Sequence, residues 1–332
     1  MVRRFAPQAA LVAAAVLYGV TYAAVQGALE TMTPMGFNVL RFALGTTVLL
    51  PVAVAWGWRG PEPRRSDTRR SFLAAGAALG IAAGIGYFTQ NVGLQHTSTS
   101  NVAFITGLFA VFTPAFEAVL HRRPPRPEVI GAVALALGGM FLLTGARLTL
   151  NLGDAMALVA AASFGWWYVL MGETASRFDF VSLTAVQLGV TALFSLPVAL
   201  ATGFGTVTSK VVVAVVVTAV GSSALAVSLS TWAQRRVDAS RASLINLLEP
   251  VVAALVGYVL GERIGGWGVV GAALILVAIL VAERGLARGG YRLPTVSPEA
   301  GGALAPPGHD PGPDPGAAGN AGRDSPVPPA PA

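Results

Sequence analysis

Three charged side chains interrupt long apolar stretches of the sequence and are its first candidates for chemistry: Arg41, Glu117 and Glu249. A charge deep in lipid costs about 2.5 to 3.5 kcal/mol on insertion scales, so each of them needs a partner or a function. Asn38 lies three residues before Arg41 on the same helix face, where the two side chains could hold a carboxylate or another anionic group. The alternative is that Arg41 caps backbone carbonyls or pairs with a carboxylate, and so only fixes its helix.

Glu249 stands directly before Pro250, whose missing N–H frees a backbone carbonyl, and Asn246 lies one turn earlier on the same face. This arrangement predicts a kinked, polar helix that lines a cavity. Glu249 is then a candidate proton carrier, and a structural role at the proline break is the alternative. Glu117 differs, because the arginines at 122–123 follow it closely and predict an ion pair at the membrane interface, with a role in transport as the alternative.

Aromatic and amide side chains complete the candidate cavity, which would stack on the apolar body of a small molecule and hydrogen-bond its polar end. Tyr18 and Tyr22 are one turn apart, and so are Tyr87 and Asn91. Three further candidates join them through their positions in the sequence repeat described below: Asn101, Trp167 and Gln187. Packing or an interfacial aromatic belt is the alternative for each aromatic side chain.

Apolar stretches near 20 residues must position these candidates, and about 20 residues are needed to cross roughly 30 Å of hydrocarbon as a helix. The chain is 54% hydrophobic and 11% charged, whereas soluble domains are about 25% charged. The expected spans, each within about three residues, are 9–29, 35–57, 71–92, 99–120, 127–145, 152–172, 181–202, 210–231, 241–261 and 266–284. The sequence therefore predicts an all-α integral membrane protein with ten transmembrane helices in a lipid bilayer.

Basic residues are concentrated in alternate loops, which sets the expected orientation. The basic loops are 59–70, 122–126, 235–241 and 284–292, whereas the loops between them hold only Arg147, Lys210 and Arg263. By the positive-inside rule both termini are cytoplasmic. Because arginine almost replaces lysine, we expect a GC-rich bacterial source and hence a bacterial plasma membrane. The arginines lie in short loops rather than on a basic surface, so no nucleic-acid partner is expected.

Reporter fusions at Arg65 and at Lys210 test this orientation. Because one loop is rich in arginine and the other holds a single lysine, we expect the two reporters to lie on opposite sides of the membrane. Two reporters on the same side would contradict the arrangement of ten helices.

The two halves of the chain resemble each other. An offset of 146 places Arg41 on Gln187 and Pro51 on Pro197 without a gap. An offset of 140 pairs Ser100 with Ser240, Leu120 with Leu260, Arg123 with Arg263 and Gly131 with Gly271. Each repeat holds five helices, an odd number, so the second repeat must be inverted relative to the first. An inverted repeat places a shared site near the membrane midplane.

Three segments follow from this repeat and from composition. They are a first repeat at 1–145, a second repeat at 146–288 and a tail at 289–332. The tail is rich in Pro, Gly and Ala, and eleven of the 22 prolines follow residue 292. A segment of this composition cannot bury enough apolar surface to fold, so it is expected to be a disordered cytoplasmic tail.

Several short motifs recur in a fixed order. They are Thr33-Pro34 with Leu40-Arg41-Phe42, residues 97–105 leading to Pro114, residues 239–243 leading to Leu248-Glu249-Pro250, residues 260–263, and Gly271. Over residues 9–284 the chain resembles the EamA family of the drug/metabolite transporter superfamily through these motifs. The resemblance implies ten helices, cytoplasmic termini and movement of small metabolites by alternating access. Thr113-Pro114 stands where the second repeat has its Glu-Pro pair, with the proline one turn later, so the two positions are not expected to be chemically equivalent.

The function expected from the sequence is secondary transport, with export of small metabolites (amino acids, nucleosides or related compounds) or of drugs. No nucleotide-binding loop of the Gly-x-x-x-x-Gly-Lys type is present in the sequence. No cofactor is expected, since the chain has no cysteine to hold a thiolate metal site. An intramembrane enzyme is the alternative, but it needs clustered catalytic groups within the spans, and a membrane scaffold is a third. Oligomeric state stays open.

Overall fold

Long apolar helices form the described part of the chain. The structure is a computed structural model, and it describes residues 2–55, 69–145, 151–261, 263 and 265–288. The expected tail at 289–332 lies outside the described residues. Within them, ten helices are long and apolar enough to cross a membrane by length and composition. The predicted fold class, an all-α integral membrane protein of ten helices, is therefore confirmed.

We number the ten helices α1 to α10 in chain order. The unbroken helices are α1 (Val2–Ala28), α2 (Pro34–Ala55), α3 (Arg69–His96), α5 (Pro127–Thr144), α6 (Leu152–Ala175), α7 (Phe180–Thr202) and α10 (Gly266–Arg288). The interrupted helices are α4 (Thr99–Gly107 as α4a and Phe109–His121 as α4b), α8 (Ser209–Thr218, a π-helical turn at Ala219–Ala226, then Val227–Ala233) and α9 (Ala239–Asn246 as α9a and Leu248–Val259 as α9b).

The predicted spans agree with the helix bounds to within three residues except at three ends. There the helix is longer, because α1 begins at Val2, α3 ends at His96 and α10 ends at Arg288. A helix can continue through the headgroup region, where the side chains no longer need to be apolar. Hydropathy therefore predicts the part in hydrocarbon rather than the whole helix.

Helices α4 and α9 break at corresponding places in the two repeats. In α4 the N–H of Leu108 bonds to the oxygen of Ile105 at 3.0 Å, and in α9 the N–H of Leu247 bonds to the oxygen of Leu244 at 3.1 Å. The sequence predicts a kink at Pro250, whereas the ninth helix is interrupted at Leu247. Pro250 lies in the first turn of α9b, where its missing N–H costs no helical hydrogen bond.

The packing of the helices is that of two inverted five-helix halves. Equivalent helices meet in the pairs α2 with α7, α4 with α9 and α5 with α10. Other large interfaces occur twice. The packing of α1 on α8 corresponds to that of α6 on α3. The packing of α1 on α9 corresponds to that of α6 on α4. Both breaks are close together, because a Cβ on Gly107 would lie 3.9 Å from Leu247 Cδ2. The interrupted helices therefore face each other across the interface of the halves.

Candidate substrate-binding site

A cluster of polar and charged side chains lies inside the helix bundle and draws on both halves. We call Tyr18, Arg41, Tyr87, Tyr168 and Glu249 the central cluster. Glu249 is close enough to interact electrostatically with Arg41 and with all three tyrosines. Arg41 interacts in the same way with Tyr18 and Tyr87. The structure thus brings together four predicted site residues and adds Tyr168.

Arg41 is buried among aromatic rings. Its guanidinium carbon lies 4.3 Å from the ring centre of Phe42, 4.9 Å from that of Tyr87 and 5.9 Å from that of Phe37. Rings at these distances stabilise a cation without using its hydrogen-bond donors. The buried Nε atom of Arg41 has no hydrogen-bond partner among the described residues. One donor of the guanidinium is therefore unsatisfied in this conformation.

Three members of the central cluster keep accessible surface. Tyr18, Tyr87 and Glu249 are only partly buried, although each is held among several helices. Tyr87 packs between Phe42 and Phe164, with ring centres 5.2 Å away in both cases. The central cluster therefore combines an aromatic wall with one guanidinium and one carboxyl group, the kinds of group expected of a small-molecule site.

Tyr168 links the central cluster to both helix breaks. Its hydroxyl accepts a hydrogen bond from Asn246 Nδ2, and Asn246 is the last residue of α9a. Its ring stacks on Phe109, the first residue of α4b, with ring centres 5.4 Å apart and 25° between the planes. The sequence analysis missed Tyr168. The offset of 146 pairs it with Tyr22, and this signal could have found it.

Trp167 and Gln187 form a pair beside Tyr168. Trp167 Nε1 donates to Gln187 Oε1 at 3.0 Å, and the ring centres of Trp167 and Tyr168 are 5.0 Å apart. Within the part of the chain that the structure describes, the buried Nε2 of Gln187 and the buried Oδ1 of Asn246 have no hydrogen-bond partner. These amides thus extend the polar character of the central cluster toward α7 and α9a.

Four predicted site residues are not joined to the central cluster by the described contacts. Asn101 instead donates to Thr97 Oγ1 at 3.1 Å and to Asp154 Oδ1 at 3.3 Å, so it ties the start of α4a to α6. Asn38 is buried with an unpaired Nδ2, and Asn91 is partly buried. The side chain of Tyr22 lies outside the described residues.

Glu117 does not form the predicted ion pair with Arg122 or Arg123. Its carboxylate accepts hydrogen bonds from the backbone N–H groups of Ala239 at 3.1 Å and Ser240 at 3.0 Å, and from the Ser240 hydroxyl. The first N–H groups of a helix lack helical partners and attract a carboxylate. Arg122 ends α4b in the left-handed conformation with φ 52°, and both arginines are exposed.

The start of α9a carries further charged groups. Arg241 forms a bidentate ion pair with Glu283 on α10. Asp238, in the loop before α9a, accepts a hydrogen bond from the Arg241 N–H at 2.8 Å. Burial raises the pKa of the Asp238 carboxyl, and the N–H and guanidinium of Arg241 act in the opposite direction. This turn is therefore fixed to α10 as well as to α4b.

The sequence profile of the EamA-like transporter family matches residues 8–145 and 151–283, once for each half. The chain belongs to the EamA-like transporter family. The chain is also similar to a protein of Archaeoglobus fulgidus named "Uncharacterized transporter", 28% identical, with 85% of this chain and 87% of that protein covered. Another is "Uncharacterized transporter YyaM" of Bacillus subtilis, 26% identical, with 80% and 89% covered.

A solved crystal structure has the same fold as this EamA-family chain. The two superpose with a TM-score of 0.70 and 20% sequence identity over 85% of this chain and 98% of the other. At this identity the likeness shows the fold alone. Family membership and ten helices of membrane-spanning length together establish a multi-pass membrane transporter.

Proposed function

We propose that this EamA-family protein is a secondary transporter that exports small metabolites or drugs across a bacterial plasma membrane by alternating access. Its substrates are amino acids, nucleosides or related compounds with an apolar body and a polar or anionic end. Both termini lie in the cytoplasm in this proposal. The observation that carries it is the central cluster, in which Glu249 lies within electrostatic range of Arg41 and of three tyrosines drawn from both halves.

The arrangement of the helices supports alternating access. Transporters with inverted repeats bind substrate near the midplane, at the meeting point of discontinuous helices. Here the breaks at Leu108 and Leu247 lie on either side of Tyr168, which contacts a residue next to each break. A movement of one half against the other would therefore act directly on the walls of the cavity.

The chemistry of the cavity supports the substrate class. Arg41 offers a guanidinium with an unpaired Nε, which suits a carboxylate or phosphate group. The rings of Tyr18 and Tyr87 suit the apolar or aromatic body of a metabolite. We also propose that Arg41 and Gln187, equivalent under the offset of 146, border the same cavity from α2 and α7. Gln187 reaches the central cluster through Trp167 and Tyr168.

Growth of an overexpressing strain tests this function. The strain, an empty-vector strain and a strain with Glu249→Gln would be compared on toxic amino acids, nucleosides and cationic drugs, with profiling of metabolites in the medium. We expect the wild-type transporter alone to raise tolerance to one class and to enrich that class in the medium. Increased sensitivity of the overexpressing strain to a compound would indicate uptake instead of export. If the strains grow equally and the metabolite content of their media is the same, with the protein present in the membrane, the proposal is refuted.

A further inference from the structure

Glu117 joins the two interrupted helices within the membrane-spanning region. Its carboxylate, on α4b, accepts three hydrogen bonds from the first turn of α9a: two from the N–H groups of Ala239 and Ser240 and one from the Ser240 hydroxyl. The first N–H groups of a helix have no helical partners and favour a carboxyl group as acceptor. Each of the three bonds must be broken if the two segments separate.

The Glu117 contact lies between the central cluster and one end of the bundle. At a rise of about 1.5 Å per residue, Glu117 is about 12 Å along α4b from Phe109, and Ser240 is about 9 Å along α9a from Asn246. Phe109 and Asn246 are the residues that contact Tyr168 beside the breaks. The contact therefore joins the end of α4b to the start of α9a, on one side of the central cluster.

Two more links hold helices together at this same end. Arg241 on α9a pairs with Glu283 on α10. His121 at the end of α4b lies 3.1 Å from Glu173 near the end of α6. Together with the Glu117 contact, these links connect α10 to α9, α9 to α4 and α4 to α6.

The opposite end of the bundle lacks the counterpart of Glu117. Under the offset of 140 the residue equivalent to Glu117 is Gly257 on α9b. A glycine has no side chain with which to reach the start of α4a. That start is held instead to α6, where Thr97 Oγ1 donates to Asp154 Oδ1 at 2.8 Å. Among the described residues a carboxylate joins α4 to α9 at the Glu117 end, and the position equivalent to Glu117 at the other end is a glycine.

We propose that Glu117 is a latch that closes the transport path at the end where α4 finishes and α9 begins. To open this end, α4b and α9a must separate, which breaks the three hydrogen bonds of Glu117. When the other end opens, α4b and α9a can stay in contact. The latch rests on the proposed alternating access, since it assumes a path with two ends. Because the three bonds of Glu117 must break at one end only, the two ends are not equivalent.

Thiol labelling tests the latch, because the chain has no cysteine. A reporter at Ser230→Cys would replace a buried hydroxyl that faces Tyr18 in the central cluster. Membrane-impermeant thiol reagents would be applied to vesicles of both orientations. With Glu117→Ala added, we expect labelling from the Glu117 end to become about tenfold faster or more, as loss of several hydrogen bonds to a charged group implies. Ser240→Ala, which removes only the hydroxyl bond, should give a smaller increase.

Glu128→Ala is the matched control, since Glu128 is an exposed acid at the same end. It should leave the labelling rate within about twofold, as is usual for a surface charge. Unchanged labelling in both Glu117→Ala and Ser240→Ala would overturn the latch and leave Glu117 as a helix cap only. Faster labelling from both ends would also overturn it, because the bundle would then have loosened as a whole. Labelling needs no substrate, so this result stands apart from the growth panel that tests the proposed function.

Discussion

Replacing Arg41 with glutamine is expected to reduce transport by about tenfold or more while the protein stays folded. Arg41 supplies the guanidinium of the central cluster, and its Nε has no partner in the described parts of the chain. A hydrogen bond to a charged group contributes roughly 1.5 to 3 kcal/mol, which corresponds to about tenfold to a hundredfold in binding. Glutamine keeps a polar side chain of similar reach without the charge. The measurement is efflux, from loaded cells, of the compound identified in the growth panel.

Two variants separate substrate binding from a purely structural role. Arg41→Lys keeps the charge but loses the planar donor fork, so we expect partial transport. Gln187→Ala should weaken apparent substrate affinity if the two positions share a cavity. Thermal stability in detergent should stay close to wild type for Arg41→Gln. Misfolding of that variant, or unchanged substrate affinity in Gln187→Ala, would remove the shared cavity from the proposal.

The sequence predicts the ten spans well because bilayer thickness alone sets their length. It also finds Arg41 and Glu249, because a charge in hydrocarbon is costly and stands out against apolar neighbours. It does not find the partner of Glu117. The partner N–H groups belong to Ala239 and Ser240, far along the chain, and backbone donors leave no mark in sequence. Arg122 and Arg123 are nearer to Glu117 in sequence than Ala239 and Ser240, but their side chains are exposed.

Positions in the repeat do not by themselves predict contacts. Asn101 lies in the first turn of α4a and belongs to a network with Thr97 and Asp154 rather than to the central cluster. Tyr168 carries a signal in the sequence, because the offset of 146 pairs it with Tyr22. The π-helical turn at Ala219–Ala226 was also not predicted. One extra residue in a helical turn does not change how apolar the stretch is, so hydropathy carries no signal for it.

Adding a single methyl group at Gly139 is expected to disrupt the interface between α5 and α10. A Cβ there would lie 2.6 Å from the carbonyl oxygen of Gly271 and 3.0 Å from the backbone N of Ile275. Backbone atoms of a helix cannot rotate aside, so α10 would have to move as a whole. Overpacking of this kind costs about 1 to 3 kcal/mol. We expect Gly139→Ala to lower the melting temperature in detergent and the yield of monodisperse protein.

Gly138 provides the matched control because it is the neighbouring residue on the same helix. A Cβ on Gly138 would meet no atom within 4 Å. Alanine is favoured over glycine in helices by about 1 kcal/mol, so Gly138→Ala should be neutral or slightly stabilising. Gly271→Ala approaches the same contact from α10, where its Cβ would lie 2.4 Å from the oxygen of Gly139, and it should behave like Gly139→Ala. Equal melting temperatures for Gly138→Ala and Gly139→Ala would mean that the close approach of α5 and α10 does not stabilise the fold. A loss confined to Gly139→Ala and Gly271→Ala would mean that the two halves depend on this contact, since it joins equivalent helices of the inverted repeat.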